Sequence, residues 1–164
     1  MDPKDPRNGN TRFDASMLDE IVAELAGKPG ALMLVLHAVN DRVGYIPPAA
    51  VPAIARALNL SRAEVHGVIS FYHDFRTVRP GRKIIRVCRA ESCQAMGAVA
   101  LADHIQERLG IHFGETSGDG EFTLEPVYCL GNCACSPAIV VGGDPYGRVT
   151  PQRFDEICSA WRKP

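Results

Sequence analysis

KIIRVCRAESCQAMGAVALADHIQERL, Lys83 to Leu109, decides how the second half of this chain folds. Its first six residues, Lys83 to Cys88, are rich in β-branched and apolar side chains and read as a strand. From Ala95 to Leu109 the sequence reads as a helix, with Ala100, Leu101, His104, Ile105 and Leu109 near one face. Between strand and helix stand Cys88 and Cys93, spaced C-x4-C. A second stretch repeats the arrangement. Phe122 to Tyr128 reads as a strand and runs into Cys129 and Cys133, spaced C-x3-C within VYCLGNCACSPA. Two strands that each end in a cysteine pair bring four thiols within reach of one object.

The segments around these two stretches complete a small α/β sandwich. Glu115 to Gly120 reads as a loop, and Ala138 to Val141 as a further strand. GGDPYG, Gly142 to Gly147, is turn chemistry expected to close a hairpin with Arg148 to Thr150. Asp119 in SGDG and Asp144 in GGDPYG are read as turn residues. Pro151 opens a last helix that carries Phe154, Ile157, Cys158 and Trp161.

Upstream the periodicity is helical. Residues 1–13 are expected to be a disordered tail, 14–80 a helical domain and 81–164 the α/β domain. Met17, Leu18, Ile21, Val22 and Leu25 recur at helical spacing behind Asp14, an N-cap, and Gly27 and Pro29 stop that helix. Gly30 to Arg42 is apolar almost all round and reads as a buried helix, with Gly44 as its C-cap. Pro47 and Pro48 restart the chain into a short helix, Ala49 to Leu58, after which Asn59 can take the left-handed cap. Ser61 and Glu64 form a capping-box pattern for a fourth helix, Arg62 to Tyr72. Pro80 and Gly81 mark the boundary.

Bulk properties narrow the function classes. The 164 residues are 46% hydrophobic and 23% charged, with a formal net charge of -1. No basic excess points to nucleic acid or to an anionic membrane. The polar amino terminus has no apolar core for a signal peptide. The longest apolar run, Ala31 to Leu36, is far short of the ~20 residues of a membrane span. The chain is therefore expected to be cytoplasmic, where clustered cysteines mean metal or redox chemistry more often than structural disulfides.

Four thiolates from two loops suit a small iron–sulfur cluster, because iron prefers soft sulfur ligands and each iron completes a tetrahedron. Structural zinc sites favour C-x2-C knuckles, and a thioredoxin-type dithiol is C-x-x-C; neither pair has that spacing. A disulfide reading is disfavoured by compartment. An all-cysteine 2Fe–2S cluster carries about -2 when oxidised and about -3 when reduced. Backbone N–H groups of Arg89 to Ser92 and Leu130 to Asn132 could offset that charge, and Gly131 lets the chain approach closely. Arg86 and Arg89 could add positive potential. Cys135 gives Cys133-Ala134-Cys135 a C-x-C pattern, so either cysteine could reach the metal. Cys158 lies on the apolar face of the last helix and reads as core.

Other candidate residues weigh less. His37, in a nearly all-apolar helix, reads as a hydrogen-bonded core residue. His66 and His73 are about two helical turns apart and read as one face, in the core or at an interface rather than on a metal. Phe71, Tyr72 and Phe75 read as packing, and His73 to Arg76 as part of a surface that docks on a larger subunit. Glu91 has no partner carboxylate or nucleophile to make it an acid catalyst. Ser92 reads as a hydrogen-bond donor near sulfur. No G-x-G-x-x-G follows a strand and no Walker loop occurs, so no nucleotide or flavin site of the chain's own is expected.

GYIPPAAV (Gly44 to Val51), VHGVISFYHDF (Val65 to Phe75), PGRKIIRVCRAESCQAMGA (Pro80 to Ala98) and YCLGNCACSPAIVVGG (Tyr128 to Gly143) together resemble the thioredoxin-like 2Fe–2S ferredoxin family. The resemblance runs from about Pro29 to the end. It implies a small N-terminal helical domain followed by a thioredoxin-like α/β ferredoxin domain. It also implies one 2Fe–2S cluster on Cys88, Cys93, Cys129 and Cys133, with Cys135 a bystander. Members include the NADH-module subunit of respiratory complex I beside the flavin subunit, and matching subunits of NAD-linked hydrogenases and formate dehydrogenases. VLHAVNDRVGYIP, VHGVISFYHDFR and CRAESCQAMGA look most like the gamma subunit of soluble NAD-dependent formate dehydrogenases. What this implies is an accessory electron-transfer subunit without bond chemistry of its own. The implied partners are a flavin- and NAD-binding subunit, holding FMN and NAD, and a large molybdenum or tungsten subunit with a metal-pterin that oxidises formate.

Overall fold

A computed structural model describes residues 14–161; the tail expected over residues 1–13 lies outside them. The chain divides between Arg79 and Pro80 into two compact units.

Among the described residues the first unit has four helices, α1 (Ala15–Leu25), α2 (Ala31–Val43), α3 (Ala50–Ala57) and α4 (Arg62–Phe71). Their ends follow the capping chemistry of the sequence. The Asp14 carboxylate accepts the Ser16 amide at 2.8 Å. The Ser61 hydroxyl accepts the Glu64 amide at 3.2 Å and Glu64 accepts the Ser61 amide at 2.8 Å, which closes the capping box. Gly44 closes α2 in the left-handed region, and Asn59 follows α3 at φ 53. Leu18, Ile21, Val35, Leu36, Ile54, Val65 and Phe75 share one buried core.

Three expectations change here. His37 is exposed and meets Phe75 edge-on at 5.0 Å between centroids, so it borders the core instead of filling it. The α4 helix ends at Phe71 and Tyr72 is extended, so His66 and His73 do not share a helical face. Of the aromatic trio only Phe75 is packed away; Phe71 is 72% exposed and Tyr72 is exposed as well.

The second unit holds β1 (Lys83–Cys88), α5 (Glu91–Ala95), α6 (Ala98–Leu109), β2 (Phe122–Val127), β3 (Ile139–Val141), β4 (Asp144–Tyr146) and α7 (Pro151–Trp161). The sheet order is β2-β1-β3-β4. β1 pairs parallel with β2, from Lys83 opposite Phe122 to Cys88 opposite Val127, and antiparallel with β3. A parallel pair needs a crossover, which α5 and α6 supply. Pro126 and Pro145, which cannot donate to a ladder, fall on the two outer strands. Ile85, Val87, Leu101, Ile105, Phe122, Leu124 and Phe154 form the core together with Cys158, buried as expected.

The helix expected over Ala95 to Leu109 starts at Ala98 as α6, and a short helix outside that expectation, α5, precedes it. Gly97 stands at φ 91 between them, so α5 carries Cys93 as a separate short turn of helix. The hairpin also closes earlier than expected. Gly142 and Gly143 both have positive φ and make the turn, and Asp144 to Tyr146 pair back on β3. Asp144 is thus a strand residue, and Arg148 to Thr150 form no strand among the described residues. Asp119 keeps its turn role and accepts the Ser117 hydroxyl and the Glu121 amide. Gly81 is more than a boundary: a Cβ there would stand 2.8 Å from backbone atoms of Phe122. Its amide donates to Thr123 Oγ1 at 2.7 Å, which locks β2 alongside the entry to β1. Among the described residues no helix is long and apolar enough to cross a membrane.

Candidate metal centre

The parallel register places the ends of β1 and β2 side by side, with Cys88 opposite Val127. Both cysteine loops therefore leave the same end of the sheet, where open α/β sheets place their ligands. Cys88 is the last residue of β1, Cys93 sits in α5, and Cys129 and Cys133 lie on the loop that enters a short 3-10 turn, Cys133–Cys135. None of the six cysteines is in a disulfide.

The two pairs live in different surroundings. Cys88 and Cys93 are each 2% exposed and pack with Ala98 and Ala138, flanked by Ala90, Val127 and Leu130. Cys129 and Cys133 are exposed, and their Sγ atoms stand 3.8 Å apart. Two thiolates on one tetrahedral metal, each with a bond of about 2.3 Å, are separated by about 3.8 Å. Among the described residues no group of three or more His, Cys, Asp or Glu is arranged for a single ion. The thiols stand instead as two pairs, the donor set a two-iron cluster uses.

Backbone donors surround the sulfurs as the sequence leads one to expect, with one addition. The Gly131 amide reaches Cys129 Sγ at 3.3 Å, and Gly131 has φ 74, which the close approach exploits. The Ala90 and Leu130 amides favour the thiolate of Cys88, and the Ala138 amide favours that of Cys93. Ala138 could not be chosen from the motif, since it reaches the site only because β3 pairs with β1.

The thiols titrate as neighbours. Burial pushes Cys88 up, assisted by Cys93, against the pull of the Ala90 and Leu130 amides. Burial also pushes Cys93 up, but the Ser136 hydroxyl, the Cys88 sulfur and the Ala138 amide together hold it below the ordinary thiol value. Cys133 is raised first by its hydrogen bond with Cys129 and then by that neighbour's charge, with smaller contributions from Cys93 and Cys88.

Other residues around the site have partners that the motif does not show. Arg86 is paired with Glu125 at 3.1 Å, so its charge is committed along the sheet. The Arg89 guanidinium lies over the Phe113 ring at 5.3 Å. Ser92 bonds to Ser136 and to the Cys133 carbonyl, and Ser136 is the hydroxyl that touches Cys93 sulfur. Cys135 is half-buried, and its carbonyl accepts the Arg148 amide at 2.6 Å.

A thioredoxin-like sheet with two cysteine loops at one end defines a class of metal-cluster carrier. The chain belongs to the family described as thioredoxin-like 2Fe-2S ferredoxin, which it matches over residues 18–162. The cofactor of that family is a 2Fe–2S cluster, and the four thiols fit it.

Relatives agree with the family, and a solved structure shares the fold. A subunit of the NADH-quinone oxidoreductase of Pseudomonas aeruginosa is 39% identical over 77% of this chain and 76% of its own length. The HndA subunit of the NADP-reducing hydrogenase of Solidesulfovibrio fructosivorans is 33% identical over 87% and 83%. Subunit 2 of the NADH-quinone oxidoreductase of Thermus thermophilus is 37% identical over 83% and 76%. An NAD+-reducing NiFe-hydrogenase chain shares the fold at a TM-score of 0.68 and 24% identity, over 80% of this chain. This chain spans 22% of the length of that hydrogenase chain.

Proposed function

We propose that this chain is an electron-transfer subunit of an NAD(P)-linked multisubunit oxidoreductase, with Cys88, Cys93, Cys129 and Cys133 as the ligands of its cluster. The observation that carries the proposal is the gathering of four thiols at one end of the sheet, with Cys129 and Cys133 at the separation of two ligands on one metal and the Gly131 amide on Cys129 sulfur. When bound, a 2Fe–2S cluster accepts and returns one electron at a time, which suits exchange with a flavin that handles hydride pairs. In this role Cys88 and Cys93 seat the buried side of the site. Gly131 and its neighbours offset negative charge, and Cys129 and Cys133 bring the site to the surface. The partner is a flavin- and NAD-binding subunit.

The larger assembly has two readings. The relatives from Pseudomonas, Solidesulfovibrio and Thermus support an NADH-quinone oxidoreductase or hydrogenase setting. The formate dehydrogenase setting, with its molybdenum or tungsten subunit, rests on the resemblance of three sequence stretches and has the weaker support. Purification of the native complex with identification of its subunits and metals separates them: molybdenum or tungsten with a large pterin-binding subunit supports formate dehydrogenase, and nickel supports hydrogenase. The cluster itself is tested by iron and sulfide analysis of anaerobically prepared protein and by EPR after dithionite. A colourless, EPR-silent protein with one zinc would overturn the proposal.

A further inference from the structure

Ser136 is a buried hydroxyl that the cysteine motif does not require. It is 7% exposed, and its Oγ stands 3.4 Å from Cys93 Sγ, 2.9 Å from Ser92 Oγ and 2.9 Å from the Cys133 carbonyl oxygen. Ser92 Oγ lies 3.3 Å from that same carbonyl. These groups tie the sulfur of one cysteine pair to the backbone of the other.

Counting protons shows what metal binding does to the network. With Cys93 as a thiol, its S–H donates to Ser136 Oγ, and Ser136 donates to the Cys133 carbonyl. A metal-bound cysteine has no proton, so its sulfur can only accept. Ser92 can then donate to the Cys133 carbonyl or to Ser136 Oγ, which releases the Ser136 proton for sulfur. The result is a hydroxyl chain from α5 through Ser136 to the Cys93 sulfur, in a site where each bond polarises the next.

We propose that Ser136, oriented by Ser92, donates a hydrogen bond to the metal-bound Cys93 sulfur and thereby raises the reduction potential of the cluster. The inference rests on the ligand set proposed above. Its energetic basis is the charge change: reduction adds one electron to the site, and a donor on a ligand sulfur stabilises the more negative state preferentially. Burial strengthens the effect, because water does not replace the lost donor.

The test uses the full chain with its cluster, as wild type, Ser136→Ala and Ser92→Ala. Iron, sulfide and visible absorption report whether the cluster is intact, and an EPR-monitored titration with dithionite as electron source reports the midpoint. Ser136→Ala is expected to keep the cluster and lower the midpoint. At fixed ambient potential the reduced-to-oxidised ratio should fall about tenfold, equivalent to about 59 mV for a one-electron couple. Ser92→Ala should move the midpoint the same way by less. A residue that only braces the loops would change cluster retention without this directional shift. An intact Ser136→Ala cluster with an unmoved or raised midpoint overturns the inference. Should Ser136→Ala fail to hold a cluster, Ser92→Ala decides: a lowered midpoint supports the role and an unmoved one removes it. The ligand reading fails separately, if Cys93→Ser keeps the wild-type iron content and EPR spectrum.

Discussion

Gly147→Ala adds one methyl group where the second cysteine loop has no room for it. A Cβ at this position would stand 2.6 Å from Cys135 Cβ, 2.9 Å from the Cys135 carbonyl oxygen and 3.0 Å from Asn132 Nδ2. Carbon atoms in ordinary contact are about 3.5–4.0 Å apart, so the closest approach falls short by about 1 Å. The Asn132 amide can swing aside. The Cys135 atoms cannot, because Cβ and the carbonyl are fixed to the backbone. The strap that Gly147 opens, residues 147–149, is held as well: Arg148 donates to the Cys135 carbonyl at 2.6 Å and Val149 to the Pro137 carbonyl at 3.0 Å. Relief must therefore come from moving the turn that carries Cys133. Overpacking of this kind costs about 1–3 kcal/mol. At about 2–4 °C per kcal/mol for a chain of this size, Tm should fall by about 2–12 °C. Gly147 does not have left-handed φ, so the cost is one of space and not of backbone conformation. Gly118→Ala is the matched control, since nothing lies within 4 Å of a Cβ there; its effect should stay within about 0.5 kcal/mol. Thermal melts of both variants, with iron release to a chelator followed in parallel, make the comparison. If Gly147→Ala melts with Gly118→Ala and holds its iron as long as wild type, the strap does not set the position of the cysteine loop.

Cys129→Ser should abolish or strongly alter the EPR signal of the reduced cluster while Cys135→Ser largely preserves it; equal loss in both would overturn the ligand set. Phe154→Ala removes a fully buried ring from the sheet core and should destabilise the second unit by about 3–5 kcal/mol, read from denaturant melts. Ser61→Ala should cost about 0.5–2 kcal/mol through loss of the α4 cap, measured the same way. The Glu64 carboxyl is held below its ordinary value by the Ser61 amide and then the Ser61 hydroxyl. A lowered folded-state pKa contributes stability above the unfolded value and loses it as pH falls through the folded one. The Tm difference between wild type and Glu64→Gln should therefore be full at neutral pH and vanish below the glutamate range, and a difference that survives in acid would contradict the capping role.

Much of this molecule is legible in its sequence because its signals are local. A capping box needs only Ser61 and Glu64 three residues apart, and the Gly44 C-cap needs only a helix that stops. The strand Lys83–Cys88 reads correctly because its composition and its bounding residues agree. The features that sequence does not reveal depend on partners distant along the chain. His37 sits on an apolar helix, yet the helix turns that position outward. GGDPYG is rich in turn formers, but two glycines suffice for the turn once β3 is there to pair with Asp144 to Tyr146. Gly97 separates α6 from the short α5, which no periodicity marked and which carries Cys93 on its own element. Ser136 and Ala138 gain their roles from sheet pairing, and Gly147 from the fold of its strap. No periodicity could have marked them.

The cysteine spacings alone do not make a metal site; strand register does. Neighbouring strands lie about 4.8 Å apart, so two loops leaving adjacent strand ends are close enough to share a cluster. A slip of one residue would displace β2 by about 3.3 Å and turn its core side chains to the opposite face. The register is therefore fixed by residues that touch no sulfur: Phe122 and Leu124 in the core, Gly81 against the β2 backbone, and Thr123 receiving the Gly81 amide. That same register sets the contrast between the pairs. Cys88 inherits burial from the central strand, whereas Cys129 emerges beyond the end of an outer one. Electron exchange needs both conditions at once: a dry side with fixed donors, so that little rearranges when charge arrives, and a thin side through which a partner can approach. In the proposed role Cys88 at the end of β1, Cys93 on α5 and Ser136 give the first, and the loop with Cys129 and Cys133 gives the second.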